Sequence, residues 1–192
     1  MAFVVVYDAC VLYPAPLRDL LIRLARSGIV RARWSELILD ECFRSILEQR
    51  TDLKPDALKR TRELMTQAVP DCIVTGLDAL VDALELPDLD DRHVLAAAIR
   101  AGAQAIVTFN LDDFPDEKLA PYNIDAKHPD DFVLDVIGLA PGLVTTVVTE
   151  QAAALKSPPR TIGELLDTLR DQRLVRSVAK LRELFGASDP MA

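Results

Sequence analysis

The stretch from Pro87 to Pro115, PDLDDRHVLAAAIRAGAQAIVTFNLDDFP, limits what this chain can fold into more than any other. Asp88, Asp90 and Asp91 open a helix-like run, His93 to Ala101, that is almost entirely small and apolar. Gly102 follows where a helix closes on a left-handed residue. A short apolar strand from Ala105 to Thr108 comes next, and Asn110, Asp112 and Asp113 follow it at once. The segment reads as one αβ unit with carboxylates at both ends. Carboxylates gathered beside an apolar core raise one another's pKa unless a cation joins them. A hard divalent cation, which takes oxygen ligands, is one solution. Helix capping by Asp88 and Asp90, with Asp112 and Asp113 in a turn, is the other.

The start of the chain carries a second acid of this kind. Phe3 to Tyr7, FVVVY, is continuously apolar, the pattern of a strand buried on both faces in a parallel sheet. Asp8 ends it, at the position where open α/β sheets bind ligands. Tyr13, Pro14 and Pro16 delay the helix that follows, which favours a site residue over a plain cap. Leu17 to Ser27 has helical spacing and stops at Gly28, and a strand over Ile29 to Arg33 leads to Ser35, an N-cap for Glu36 to Gln49. On that helix, 100° per residue turns Glu41 toward the apolar face and Asp40 away from it.

Further on, Asp56 to Val69 reads as an amphipathic helix, Cys72 to Thr75 as a short strand and Leu77 to Leu86 as a helix. Tyr122 to Ala126 suits a last edge strand. His128, Pro129 and Asp130 mark a boundary. After it, Phe132 to Leu139, Leu143 to Leu155 and Ile162 to Phe185 read as three helices, with a joint at Ser157-Pro158-Pro159. Residues 131–192 hold seven Lys/Arg against eight Asp/Glu, so the acidity sits in the first 130 residues. Arg173, Arg176 and Lys180, with Arg170 and Arg182 near by, fall on one helical face. They form a solvated basic face or a set of contacts to RNA phosphates.

At 192 residues the chain can bury one good core with a small appendage. Its net charge of -8 argues against non-specific nucleic-acid binding through a basic surface, but it leaves room for a nuclease whose metal site needs carboxylates. The three cysteines, Cys10, Cys42 and Cys72, are far apart and form no CxxC pair, so the expectation is a reducing cytoplasm without disulfides or a zinc site. The apolar start is too short for a signal peptide, and no stretch approaches the roughly 20 apolar residues of a membrane span.

Taken together, VVVYDACVLYP, LILDECFRS and DDRHVLAAAIRAGAQAIVTFNLDDF resemble the PIN domain, and among PIN proteins the VapC-type toxin ribonucleases. The likeness covers about residues 3 to 126, and the third segment carries most of it. It implies a three-layer α/β/α fold with a central parallel sheet of about four to five strands. Residues 1–128 would form the nuclease domain and residues 129–192 a helical C-terminal extension.

It also implies a metal-dependent endoribonuclease that uses Mg²⁺ or Mn²⁺ and leaves 5′-phosphate and 3′-hydroxyl ends. Asp8, Glu41 and Asp91 match the family's three metal-holding acids and Asp113 the fourth, with Asp8, Asp91 and Asp113 as expected direct ligands. Thr108 and Asn110 match polar positions lining the site. Asp88 matches an acid that reaches the centre in some relatives, and Asp90 and Asp112 are left to capping and the turn. The implied partners are an RNA substrate, a cognate antitoxin protein and a second copy of the chain.

Other chemistries fit less well. An aspartyl-nucleophile phosphatase needs an acid two residues after Asp8, where Cys10 stands, and a receiver-like domain needs an acidic pair and a late lysine that the layout does not supply. Zinc chemistry has only His93 and His128 to draw on. A PIN-like binding or scaffold domain with little catalysis, and a DNA-directed PIN nuclease, remain as alternatives.

Overall fold

The structure is a computed structural model that describes residues 3–187. Five strands form one parallel sheet: β1 (Phe3–Tyr7), β2 (Val30–Ser35), β3 (Ile73–Val74), β4 (Ala105–Val107) and β5 (Asp125–Lys127), in the order β3-β2-β1-β4-β5. Eleven helices surround it among the described residues. Before β3 these are α1 (Ala9–Leu12), α2 (Ala15–Arg26), α3 (Glu36–Gln49) and α4 (Pro55–Ala68). Between β3 and β5 come α5 (Asp78–Val81), α6 (Arg92–Ala101) and α7 (Asp116–Leu119). After β5 the chain is helical: α8 (Pro129–Leu139), α9 (Pro141–Ala154), α10 (Ile162–Asp171) and α11 (Val175–Ala187). The architecture is the expected α/β/α arrangement, and no single described helix is long and apolar enough to cross a membrane.

The sheet centre is β1 between β2 and β4, and Val5, Val6 and Tyr7 are fully buried, as continuous apolarity requires. Tyr7 stacks on Trp34 of β2, with ring centroids 6.3 Å apart, and meets Phe132 of α8 edge-on at 5.9 Å. Its hydroxyl donates to the carbonyl of Leu21 in α2. One side chain thus ties the central strand to α2 and to the first C-terminal helix. Further links run the same way: Gln151 of α9 donates to the Pro16 carbonyl, and the Leu17 amide donates to the Gln172 side chain.

Three expected elements differ. The last strand is Asp125–Lys127 rather than Tyr122 to Ala126, because a 3₁₀ turn ends at Tyr122 and Asn123 is left-handed at a φ of +54. Leu77 to Leu86 is helical only over the four residues of α5. Beyond it Leu84 and Leu86 are buried while Glu85 is exposed, an alternation of period two that a helix cannot satisfy. The run from Ile162 to Phe185 is two helices rather than one, so four C-terminal helices follow the boundary instead of three. The break falls at Arg173, whose φ is +71. The Arg173 amide bonds back to Arg170 O and the Leu174 amide to Leu169 O, which closes α10.

The restart of α11 is fixed from a distance. The buried Asp130 carboxylate accepts from the amides of Arg176 and Ser177, each at 2.8 Å, and from Ser177 Oγ at 2.6 Å. An acid at a helix N-terminus satisfies orphan amides and favours the helix dipole.

Candidate active site

Parallel register brings the first two site residues together. Tyr7 pairs with Val107, so the next positions, Asp8 and Thr108, leave adjacent strands side by side. Thr108 Oγ1 donates to Asp8 Oδ2 at 2.7 Å. The same oxygen accepts from Cys10 Sγ at 3.0 Å, while Asp8 Oδ1 accepts from the Ala9 amide at 2.6 Å and so caps α1. Asp8 therefore caps α1 with one oxygen and meets Thr108 and Cys10 with the other. Cys10 in turn accepts from the Phe109 amide at 3.2 Å, and Thr108 Oγ1 from the Asn110 amide at 3.0 Å. Burial pushes the Asp8 carboxyl above the usual carboxylate range against these three hydrogen bonds, and Glu41 adds to the rise.

Helix α6 runs back along the sheet, so its N-terminus lies at the edge where the strands end. Asp91 stands at its N-cap position, yet its side chain makes no capping bond. Burial first, then the charges of Asp8, Asp113, Asp88 and Glu41, push the Asp91 carboxyl up to about 7. All four acids expected beside it thus act on it through space. Asp88 accepts from the Asp90 amide in a turn ahead of the helix, and Asp113 sits in the 3₁₀ turn Leu111–Asp113 that follows β4.

Glu41 arrives from α3, which Ser35 caps through the Ile38 amide. Its carboxylate lies 3.3 Å from Nε2 of His93 on α6, while Asp40 points out to an ion pair with Arg62. None of the ion pairs among the described residues involves Asp8, Asp88, Asp91 or Asp113.

Whether these residues suit a metal follows from their donors. They are carboxylate and hydroxyl oxygens, the ligand type of a hard cation, and the rise of Asp91 to about 7 records negative charge that no basic side chain offsets. Among the described residues no group of three or more His, Cys, Asp or Glu side chains is placed to hold a metal ion as they stand.

Two family profiles match the chain. The PIN domain profile matches residues 4–112, and the VapC50 C-terminal domain profile matches residues 129–183. The chain belongs to the PIN-domain family. It is similar to a protein of Mycobacterium tuberculosis (strain ATCC 25618 / H37Rv) named "Putative ribonuclease VapC50", with 47% identity over 100 residues. The aligned stretch is 52% of this chain and 59% of that relative, so it spans less than two thirds of the relative's length. No solved structure matches the chain.

This PIN fold also holds side-chain contacts near the site that the sequence pattern did not disclose. Cys10 hydrogen-bonds Asp8, and its position two residues on in the same turn was the available signal. Phe109, between Thr108 and Asn110, meets the His128 ring edge-on at 5.2 Å and carries the Arg173 guanidinium 5.0 Å from its centroid. The sequence places Arg173 on a helical face with Arg176 and Lys180, but it sits in the turn between α10 and α11, and its place beside Phe109 had no local signal because the long-range bonds of Gln172 and Asp130 set it.

Proposed function

We propose that this PIN protein is a metal-dependent endoribonuclease, the toxin of a toxin–antitoxin pair, hydrolysing RNA phosphodiester bonds to 5′-phosphate and 3′-hydroxyl ends in the cytoplasm. The observation that supports it most is Asp91, pushed up to about 7 by burial, by Asp8, Glu41 and Asp113 from other elements, and by Asp88 just before it. A charge cluster of this kind destabilises the fold and is repaid where a cation binds. The likeness to a relative named as a ribonuclease supports the same reading.

Asp8, Asp91 and Asp113 would hold the Mg²⁺ or Mn²⁺, directly or through its waters. The chemistry such an ion supplies when bound is positive charge against the phosphodiester oxygens and a more acidic water. Thr108 and Cys10 fix the rotamer of Asp8 by donating to Oδ2, so its oxygens are aimed before any ligand arrives. Glu41, steadied by His93, lies on the α3 side of the cluster, where its carboxylate can take a proton from the attacking water. Asp88 and Asn110 would line the approach of the RNA.

On this reading residues 1–128 are the nuclease domain and 129–192 its extension. A cognate antitoxin would neutralise the acidic cleft with basic side chains, and a homodimer is the expected assembly. Incubation of the purified chain with single-stranded RNA, in Mg²⁺ and then in excess EDTA, tests the proposal, with the 5′ ends of the products sequenced. Cleavage in Mg²⁺ that EDTA abolishes supports it. Tight RNA binding without cleavage would favour the scaffold alternative, and preference for DNA would redirect the substrate.

A further inference from the structure

Of the five basic residues near the chain's C-terminal face, four are spoken for. Arg170 pairs with Asp167 and Asp171, Arg176 with Asp131, Lys180 with Glu183, and Arg182 with Asp167. Arg173 has no ion pair and no side-chain hydrogen bond among the described residues, and it is exposed. It lies in the turn between α10 and α11, at a φ of +71 where glycine is the favoured residue. A costly backbone position is thus occupied by a long cation that makes no salt bridge.

The turn is held on both sides, by the Leu17 amide on Gln172 and by Asp130 on Arg176 and Ser177. This anchoring places the guanidinium 5.0 Å from the centre of the Phe109 ring. Phe109 is itself fixed to the active site, since its amide donates to Cys10 Sγ and the preceding Thr108 donates to Asp8. The His128 ring meets Phe109 edge-on at 5.2 Å, and exposed Asn110 follows in sequence. An exposed guanidinium laid over an aromatic ring, beside a free amide, is the kind of surface on which a single-stranded nucleic acid rests a phosphate and stacks a base.

We infer that Arg173, seated on Phe109, is a substrate-binding residue that holds the RNA strand through the phosphate of a nucleotide flanking the scissile bond. The helical extension thereby completes the nuclease domain's RNA surface. The inference rests on the ribonuclease reading above and adds a role for the extension. It also explains how a chain of net charge -8 grips a polyanion next to a carboxylate cluster, since one uncompensated cation is positioned at its rim.

The test uses the full chain and a short fluorescein-labelled single-stranded RNA, with affinity measured across a salt series in EDTA and cleavage measured in Mg²⁺. Arg173→Ala weakens binding by about tenfold and lowers the salt slope by about one, the signature of one lost phosphate contact. In cleavage the loss appears in KM, with kcat within about twofold of wild type. Arg173→Gly, which suits the backbone at φ +71, loses RNA affinity equally while its Tm is unchanged or higher. Arg173→Lys keeps the salt slope and recovers only part of the affinity.

Wild-type affinity and salt slope in Arg173→Gly overturn the inference, and the ribonuclease reading then stands as long as the wild type cleaves. Affinity lost only in step with a lower Tm marks Arg173 as a packing residue and also overturns it. A wild-type chain that neither binds nor cleaves RNA removes both.

Discussion

Thr108 Oγ1 donates a 2.7 Å hydrogen bond to Asp8 Oδ2 across two strand ends that are 100 residues apart in the chain. The bond follows from the β1–β4 register, and it gives a buried carboxylate a partner that it cannot get from water.

Replacing that hydroxyl by a methyl group of the same shape tests its worth. Thr108→Val leaves Asp8 short of a donor and also strips a partner from the Asn110 amide. The expected loss is about 1.5–3 kcal/mol of folding stability, the usual range for a hydrogen bond to a charged group. RNA cleavage falls as well, because Asp8 is no longer aimed, and Thr108→Ser restores most of both. Urea denaturation and single-turnover cleavage measure the two effects.

Asp91 makes the metal-free protein pH-sensitive in a stated direction. Its folded carboxyl titrates near about 7, whereas an unfolded aspartate titrates near about 3.9. Between those values the folded chain keeps a proton that the unfolded chain has released. Stability from this group is therefore complete below about pH 4 and is lost as the pH rises toward about 7. Asp8, also raised, acts in the same direction. In EDTA, Tm declines from about pH 5 to about pH 7, and Asp91→Asn makes the decline shallower. Mg²⁺ raises Tm most at the upper end, where the carboxylates are charged and ready to bind it. A Tm in EDTA that rises over this window would contradict the picture.

These cases also mark what the sequence could disclose. The buried run of β1, the small apolar face of α6 and the left-handed Gly102 at φ +61 are local patterns, readable from neighbouring residues. The places of Asp8 and Asp91 in the fold were legible for the same reason, since an acid at a strand end or a helix start is visible in one dimension. The division of α10 from α11 was not legible. Nothing around Arg173 resembles a helix stop, and the restart depends on Asp130, 46 residues earlier than Arg176. Cys10 stands where an aspartyl-nucleophile phosphatase would need its second acid, and its part as a donor to Asp8 was not legible, because that bond depends on the rotamers of the α1 turn.

Asp130 supplies the remaining stability prediction. Asp130→Ala removes a buried acceptor of three hydrogen bonds, two of them from the first amides of α11. A loss of about 2–4 kcal/mol is expected from a cap and a charged hydrogen bond together. Limited proteolysis near residues 172–176 should accelerate before the rest of the chain yields, and Asp130→Asn should cost less. Because the same turn carries Arg173, Asp130→Ala also weakens RNA binding at temperatures where the sheet domain is intact.

The account depends most on distant carboxylates sharing a metal site, and Asp91→Asn tests this most directly. The measured quantity is the rate of single-stranded RNA cleavage in Mg²⁺ by purified variant and wild type with matching circular dichroism spectra. Removing several kcal/mol of transition-state charge stabilisation predicts a drop of about a thousandfold or more. Cleavage by Asp91→Asn at the wild-type rate would contradict it.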